Sequence, residues 1–186
     1  MDLRLFYLSA IRTDSVPIFV NNWTGIFPLP DEETYRLYLS REEKDEESLR
    51  FLLSWKFGIL PGTKKEQMLQ MVLRDQKMLD QWRKSGAGAP VLFAILPRIP
   101  AEWKIFIAHI LHPGKLPLYS RYALAAYAHL TGSDPKALAK KRRENFYLKT
   151  FVPFIRSEFY DIPMYKTDQA LYAFGKYITE ASITIP

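Results

Sequence analysis

The chain contains no cysteine, and this absence removes three kinds of architecture. It cannot hold a disulfide framework, a cysteine-ligated iron–sulfur cluster or a zinc site built on thiolates. Apolar runs approaching the roughly 20 residues that a transmembrane helix needs are also missing. The first residues carry an acid, Asp2, and no cleavage pattern of the kind that ends a signal peptide. We therefore expect a cytoplasmic protein that has no contact with membranes and needs no cofactor.

Histidine is nearly as scarce, with only His109, His112 and His129 in the chain. His109 and His112 stand three residues apart, a spacing that can place two metal ligands on one face of a helix. No HExxH pattern or nearby cysteine accompanies them, so the metal interpretation is weak. We expect no metal site. His112 should end a helix, and the other two histidines should pack against neighbouring side chains.

Positive charge is in excess, and the net charge of +6 is unevenly distributed. Residues 31–48 carry eight acids against three bases, whereas residues 136–143 carry five bases and no acid. Such segregation is typical of a protein with one electropositive face that binds nucleic acid. A solvated helix end, where basic side chains also suit the helix dipole, explains the basic run equally well.

The spacing of apolar residues predicts an all-α protein of about eight to ten helices. Gly58 is placed to end a helix over 46–57. Thr63 and Glu66 form a capping box ahead of a helix that keeps its apolar spacing for about five turns, as far as Trp82. Further helices are expected over 31–39, 101–111 and 122–130.

The C-terminal third continues the helical pattern with three more segments. Asp134 and Pro135 are typical of a helix start, and Pro153 should kink or interrupt a helix over 145–159. Thr167 or Asp168 should cap the last helix. Only two short runs look like strands, at 16–20 and 183–185.

The segment at 96–120, LPRIPAEWKIFIAHILHPGKLPLYS, is followed directly by RYALAAYAHLTG. Together they resemble the part of helix-hairpin-helix DNA glycosylases that carries the DNA-gripping hairpin and the catalytic aspartate. The closing run 168–178, DQALYAFGKYI, is similar to DKALFAFGKFL in a poorly characterised glycosylase-like group. The resemblance covers roughly residues 90 to 180. It implies a single helical domain with two lobes, expected at 1–30 with 133–186 and at 31–132.

Three departures from the family pattern bear on chemistry. Arg98 and Pro100 stand where hairpin glycines let the backbone approach a phosphate, and Pro100 has no N–H to donate. Glu102 occupies the position of the lysine that forms a Schiff base in bifunctional enzymes, and a carboxylate cannot do so. Lys104 lies nearby but points about 200° away on a helix. Ser120 replaces the catalytic aspartate, and serine at a helix start is a favoured N-cap.

We therefore expect a DNA-binding protein of glycosylase-like fold that lacks ordinary base-excision activity. Two alternatives stay open. The scaffold has become a structural or protein-interaction module, or it is an active DNA repair glycosylase that uses a displaced acid such as Glu102. The expected contacts to duplex DNA are basic side chains: Arg98, Lys104, Lys115, Arg121, Lys136, Lys140, Lys141, Arg142 and Arg143.

Overall fold

A computed structural model describes residues 15–26, 29, 31–134, 137–138 and 142–181. Over these residues the chain forms ten helices and no strand, which confirms the predicted all-α class. None of the helices in the described part is long and apolar enough to cross a membrane. The helices are α1 (Val16–Trp23), α2 (Glu32–Ser40), α3 (Glu46–Phe57), α4 (Lys64–Arg74), α5 (Gln76–Ser85), α6 (Ala89–Ile95), α7 (Ala101–Leu111), α8 (Arg121–Thr131), α9 (143–158) and α10 (Met164–Ala181).

The chain divides into two compact units. The terminal unit comprises Met1–Leu29 and Gly114–Pro186, and the central unit is Pro30–Pro113. This division differs from the expected lobes in the segment 114–132. That segment belongs with the chain ends because α8 packs along α10.

In the terminal unit, α1 and α8 both pack against α10. Phe174 of α10 lies at the centre, with its ring centroid 5.0 Å from Trp23 and 5.3 Å from Phe19 of α1. The crossing of α8 and α10 is very close, because a Cβ built on Gly175 would lie 1.8 Å from the carbonyl oxygen of Tyr122. Only glycine allows the two backbones to approach in this way.

In the central unit, α7 is the buried helix, with every residue from Trp103 to Leu111 inaccessible. The ring of Trp103 stacks on Phe57 of α3 at 4.3 Å, and Tyr35 of α2 stacks on Trp55 at 4.1 Å. The helix expected over 101–111 is therefore present, and its nearly continuous apolar character explains why it is buried on all sides.

Several local predictions hold because the signals that carry them are local. Gly58 ends α3 in the left-handed conformation at φ 57°, as expected, and Asp45, for which no role was predicted, caps the same helix by accepting a hydrogen bond from the Ser48 N–H. Thr63 caps α4 by accepting from the Glu66 N–H. Pro100 immediately precedes α7, whose first helical residue is Ala101.

Other predicted elements are wrong. The run 16–20 is helical, because Pro17 lies in the first turn of α1 and Phe19, Val20 and Trp23 share its buried face. The five-turn helix is broken at Asp75 (φ −91°, ψ 7°), which separates α4 from α5. Apolar spacing continues across this break, so periodicity cannot reveal it. Helix α6, entered through Pro90, was not expected.

The last two helices also differ from expectation. Thr167 and Asp168 do not cap α10, which begins one turn earlier at Met164, and both are buried inside it. Helix α9 consists of Arg143–Phe146, a π-helical turn over Tyr147–Phe151 and Val152–Glu158. The π turn precedes Pro153, whose ring clashes with the carbonyl of a regular helical turn. Pro135 and the run 183–185 lie outside the described residues.

Candidate nucleic-acid interface

The first candidate site is the turn between α6 and α7, which we call the hairpin turn (residues 96–100). Leu96 and Ile99 are 1% and 5% exposed and anchor the turn in the core, and the Ile99 N–H donates to the Leu96 carbonyl at 3.2 Å. Pro97, Arg98 and Pro100 are exposed between and beside these anchors. The structure thus joins α6 and α7 by a short turn that is anchored in the core at Leu96 and Ile99.

Pro100 completes the hairpin turn as the N-terminal boundary of α7. Its carbonyl accepts hydrogen bonds from the N–H groups of Trp103 at 3.0 Å and Lys104 at 3.1 Å. Proline has no N–H, so the residue contributes an acceptor to the helix and no donor to a ligand. The backbone grip on phosphate that glycines provide in the family is absent at this position.

The side chains around the hairpin turn differ in accessibility. Arg98 is exposed, and its guanidinium forms no ion pair within the part of the chain that the structure describes. Glu102 is exposed in the first turn of α7, where a carboxylate suits the positive end of the helix dipole. Lys104 is only 8% exposed. Its burial leaves little of the side chain for a phosphate, and we remove Lys104 from the expected contacts.

The second candidate site is the segment that leads into α8, which we call the pinned segment (residues 115–120). Three long-range hydrogen bonds fix its backbone. The Tyr147 hydroxyl donates to the Pro117 carbonyl at 2.9 Å, and the Leu118 N–H donates to Oδ1 of Asp168 at 2.9 Å. The Arg156 guanidinium donates to the Lys115 carbonyl at 3.2 Å. Both Tyr147 and Asp168 are buried, so their two bonds are shielded from water, whereas the bond from Arg156 is exposed.

Tyr147 stays a donor because it stays protonated. Burial raises the pKa of its hydroxyl well above 10, and the nearby Asp168 carboxylate raises it further. Asp168 was expected only as a helix cap, and its actual partner lies 50 residues away in sequence. No local pattern could have revealed that contact, because it depends on how α10 packs.

Ser120 ends the pinned segment as the N-cap of α8. Its backbone is extended (φ −140°, ψ 167°), and its Oγ accepts a hydrogen bond from the Ala123 N–H at 3.1 Å. The structure therefore shows the capping role that serine favours at a helix start. The neutral hydroxyl is engaged with the backbone and carries no charge toward a substrate.

Basic side chains of the terminal unit are exposed on the pinned segment and after it in the sequence. The Arg121 guanidinium lies 4.5 Å from the ring centroid of Tyr122 and donates to its hydroxyl at 2.5 Å, which orients the group along the helix. The other exposed members of the expected set are Lys115, Arg142 and Arg143. Lys136, Lys140 and Lys141 lie outside the described residues.

The histidines take part in packing. His109 is 1% exposed, and its Nε2 lies 2.7 Å from the hydroxyl of Tyr35 in a hydrogen bond. His112 follows α7 and makes an edge contact with Trp82 at 4.9 Å, while His129 contacts Phe174 edge-on at 5.3 Å. No group of three histidine or acidic side chains that could hold a metal ion occurs among the residues the structure describes.

A scan against protein-family models finds no match to this chain, and searches of curated proteins and of solved structures find none either.

Proposed function

We propose that this protein binds duplex DNA through a helical scaffold like that of DNA glycosylases, without carrying out ordinary base excision. The observation that carries the proposal is the hairpin turn, a short connection between α6 and α7 that is anchored by Leu96 and Ile99. It presents Arg98 to solvent, where the guanidinium forms no ion pair with any residue that the structure describes. A cation held on a rigid turn is well suited to contact a phosphate.

The charged side chain of Arg98 offers the phosphate contacts that the hairpin turn lacks in backbone N–H donors. Pro100 removes one N–H, and its carbonyl is occupied by the first turn of α7. A guanidinium offers a planar fork of donors that can hold two phosphate oxygens at once. The contact carries no sequence information, so we expect binding that does not discriminate strongly among DNA sequences.

The pinned segment, in the terminal unit, carries a separate group of cations. Lys115 and Arg121 flank it, and its backbone is fixed by the bonds to Tyr147 and Asp168. Fixing the backbone lowers the entropy lost when these side chains meet a phosphate. Arg142 and Arg143 extend the exposed positive charge of the terminal unit, and their sequence neighbours Lys136, Lys140 and Lys141 belong to the same basic run.

We expect no base excision because the residue at the position of the family's catalytic acid carries no negative charge. Glycosyl transfer builds positive charge on the sugar, and a preorganised carboxylate stabilises it. The Ser120 hydroxyl is neutral and is already bonded to the Ala123 N–H. Glu102, the alternative acid, is exposed at the start of α7, and hydration weakens the electrostatic effect of an exposed carboxylate.

A titration of fluorescently labelled duplex DNA at several salt concentrations tests the binding proposal. We expect dissociation constants of roughly micromolar or weaker at physiological salt, with affinity that falls steeply as salt rises. Absence of binding even at low salt would contradict the proposal and favour the protein-interaction alternative. Incubation of the same protein with duplexes that contain uracil, 8-oxoguanine or alkylated adenine should release no base.

A further inference from the structure

The central unit carries a groove of about 280 Å³ that runs between the α4–α5 break and the hairpin turn. We call it the methionine groove. Methionine side chains are flexible and polarizable, so a groove lined by them adapts to an inserted aliphatic side chain. Its apolar lining comes mainly from Met71, Met78, Ile95 and Pro97.

Two cations border this apolar lining. Arg74 and Arg98 both line the groove, both are exposed, and neither forms an ion pair within the described part of the chain. Among the described residues that line the groove, Asp75 supplies the single carboxylate, so their net charge is positive. The complement of this lining is a segment that carries an apolar side chain beside a carboxylate. The described lining contains no aromatic residue on which a nucleobase would stack.

Helix α2 of the same chain has this complementary chemistry. Leu37 is 59% exposed, and Glu33, also exposed, lies four residues earlier on the same helix face. The surrounding segment 31–48 carries eight acids against three bases. The surface around Leu37 has an apolar centre with negative charge beside it, and the methionine groove has an apolar centre with positive charge beside it. The two surfaces are therefore complementary in charge.

The opposite side of α2 is held firmly. Tyr35 is 3% exposed, stacks on Trp55 at 4.1 Å and is hydrogen-bonded to His109 at 2.7 Å. Leu37 is therefore displayed by a helix that is already anchored. A preorganised surface loses less entropy on binding than a flexible one.

We propose that the methionine groove receives α2 of a second copy of this chain, with Leu37 inserted between Met71 and Met78 and Glu33 beside Arg74. The contact joins two different surfaces, so each copy has one groove and one α2 to offer, and copies add head to tail until the ends of a chain of copies meet in a closed ring. A single small groove gives weak association, and the charged pair makes that association sensitive to salt. Arg98 lines the groove and is also the proposed DNA contact, so association and DNA binding share this residue, whereas Leu37, Glu33 and Arg74 take part in association alone.

Sedimentation velocity of the full chain over a wide concentration range tests the proposal. Wild-type protein should form species larger than the 21.7 kDa chain at high concentration and low salt, and these should dissociate as salt rises. Leu37→Asp and Arg74→Glu should each remain monomeric. Matched controls on the same unit, Leu60→Asp and Lys64→Glu, change an exposed leucine and an exposed lysine away from both surfaces and should associate like the wild type.

An equimolar mixture of Leu37→Asp and Arg74→Glu gives the sharpest result. The first variant keeps its groove and the second keeps its α2, so one contact forms and growth then stops. The mixture should contain dimers of twice the chain mass and nothing larger. Circular dichroism verifies that each variant is folded. A wild type that stays monomeric throughout, association that persists in either single variant, or a mixture that stays monomeric would each overturn the proposal.

Discussion

The carboxylate of Asp168 accepts a hydrogen bond from the backbone N–H of Leu118 at 2.9 Å, although 50 residues separate them in the sequence. Asp168 is 6% exposed and belongs to α10, while Leu118 is 3% exposed and lies two residues before the N-cap of α8. The bond therefore links the last helix to the entrance of α8. This hydrogen bond fixes the positions of Ser120 and Arg121 within the terminal unit.

Asp168→Ala should lower the free energy of unfolding by about 1–3 kcal/mol, because it leaves the buried Leu118 N–H without its acceptor. Urea denaturation measures the change. Glu158→Ala is the matched control, since Glu158 is exposed and bonds only its neighbour Ser157 among the contacts described. Equal stability of the two variants would contradict the anchoring role of Asp168.

Gly175→Ala should destabilise the protein although alanine is the better helix former. The new Cβ would lie 1.8 Å from the Tyr122 carbonyl oxygen and 2.5 Å from its carbonyl carbon, so two helix backbones must move apart. Overpacking of this kind typically costs about 1–3 kcal/mol or more. Gly114→Ala is the control, because a Cβ there meets nothing within 4 Å. Thermal unfolding of both variants measures the difference in stability. A Gly175→Ala variant as stable as the wild type would show that α8 and α10 do not cross this closely.

Lys44 should make stability depend on alkaline pH. Its ammonium is buried at 4% exposure and donates to the carbonyls of Leu39 and Arg41. Burial, with the charges of Arg83 and Arg41, lowers the pKa of Lys44 from 10.5 to about 8. The folded state then binds fewer protons than the unfolded state between these values, so stability should rise as pH increases above about 8.

The rise in stability should end near pH 10. The pKa of Tyr147 is raised well above 10 in the folded protein, so above pH 10 its hydroxyl ionises first in the unfolded chain, and this favours unfolding. Lys44→Met removes the titrating group and should abolish the rise between pH 8 and 10. Denaturation curves at several pH values compare the two proteins. The same rise in both would show that Lys44 is not its source.

Ser120 allows stability and chemistry to be separated in one pair of variants. Ser120→Ala removes the acceptor for the Ala123 N–H and should cost about 1 kcal/mol. Ser120→Asp keeps a capping oxygen, so it should remain close to the wild type in stability while it restores the carboxylate of the family pattern. Base release from damaged duplexes only by Ser120→Asp would support a silenced site. Release by the wild type would contradict the proposal, and Glu102→Gln would then be the variant to assay.

The sequence predicts those parts of the fold that local chemistry decides. Gly58, Thr63 and Ser120 act at helix ends as their residue types favour, because a cap depends on a few neighbouring backbone groups. The break at Asp75 escapes prediction, since Leu69, Val72, Leu79 and Trp82 are buried on both sides of it with unbroken helical spacing.

The residues of the candidate interface likewise include some whose position the sequence predicts and others whose position it does not. Arg98 and Lys115 are exposed as their charge suggests, whereas Lys104 is buried because every side of α7 between Trp103 and Leu111 is covered. Asp168 and Tyr147 act on the pinned segment through contacts that only packing creates. The chemistry of a residue can be read from the sequence, but the packing of the helices decides which partners the residue contacts.

The salt dependence of DNA binding by Arg98→Ala, compared with Arg50→Ala, tests the central claim most directly. Both changes remove one positive charge, but Arg50 lies on α3 and is paired with Glu46 at 2.7 Å. Loss of one phosphate contact should weaken binding and reduce the slope of the logarithm of affinity against the logarithm of salt by about 1. The account predicts this reduction for Arg98→Ala and the wild-type slope for Arg50→Ala. Identical slopes in all three proteins, or no binding by the wild type at low salt, would contradict it.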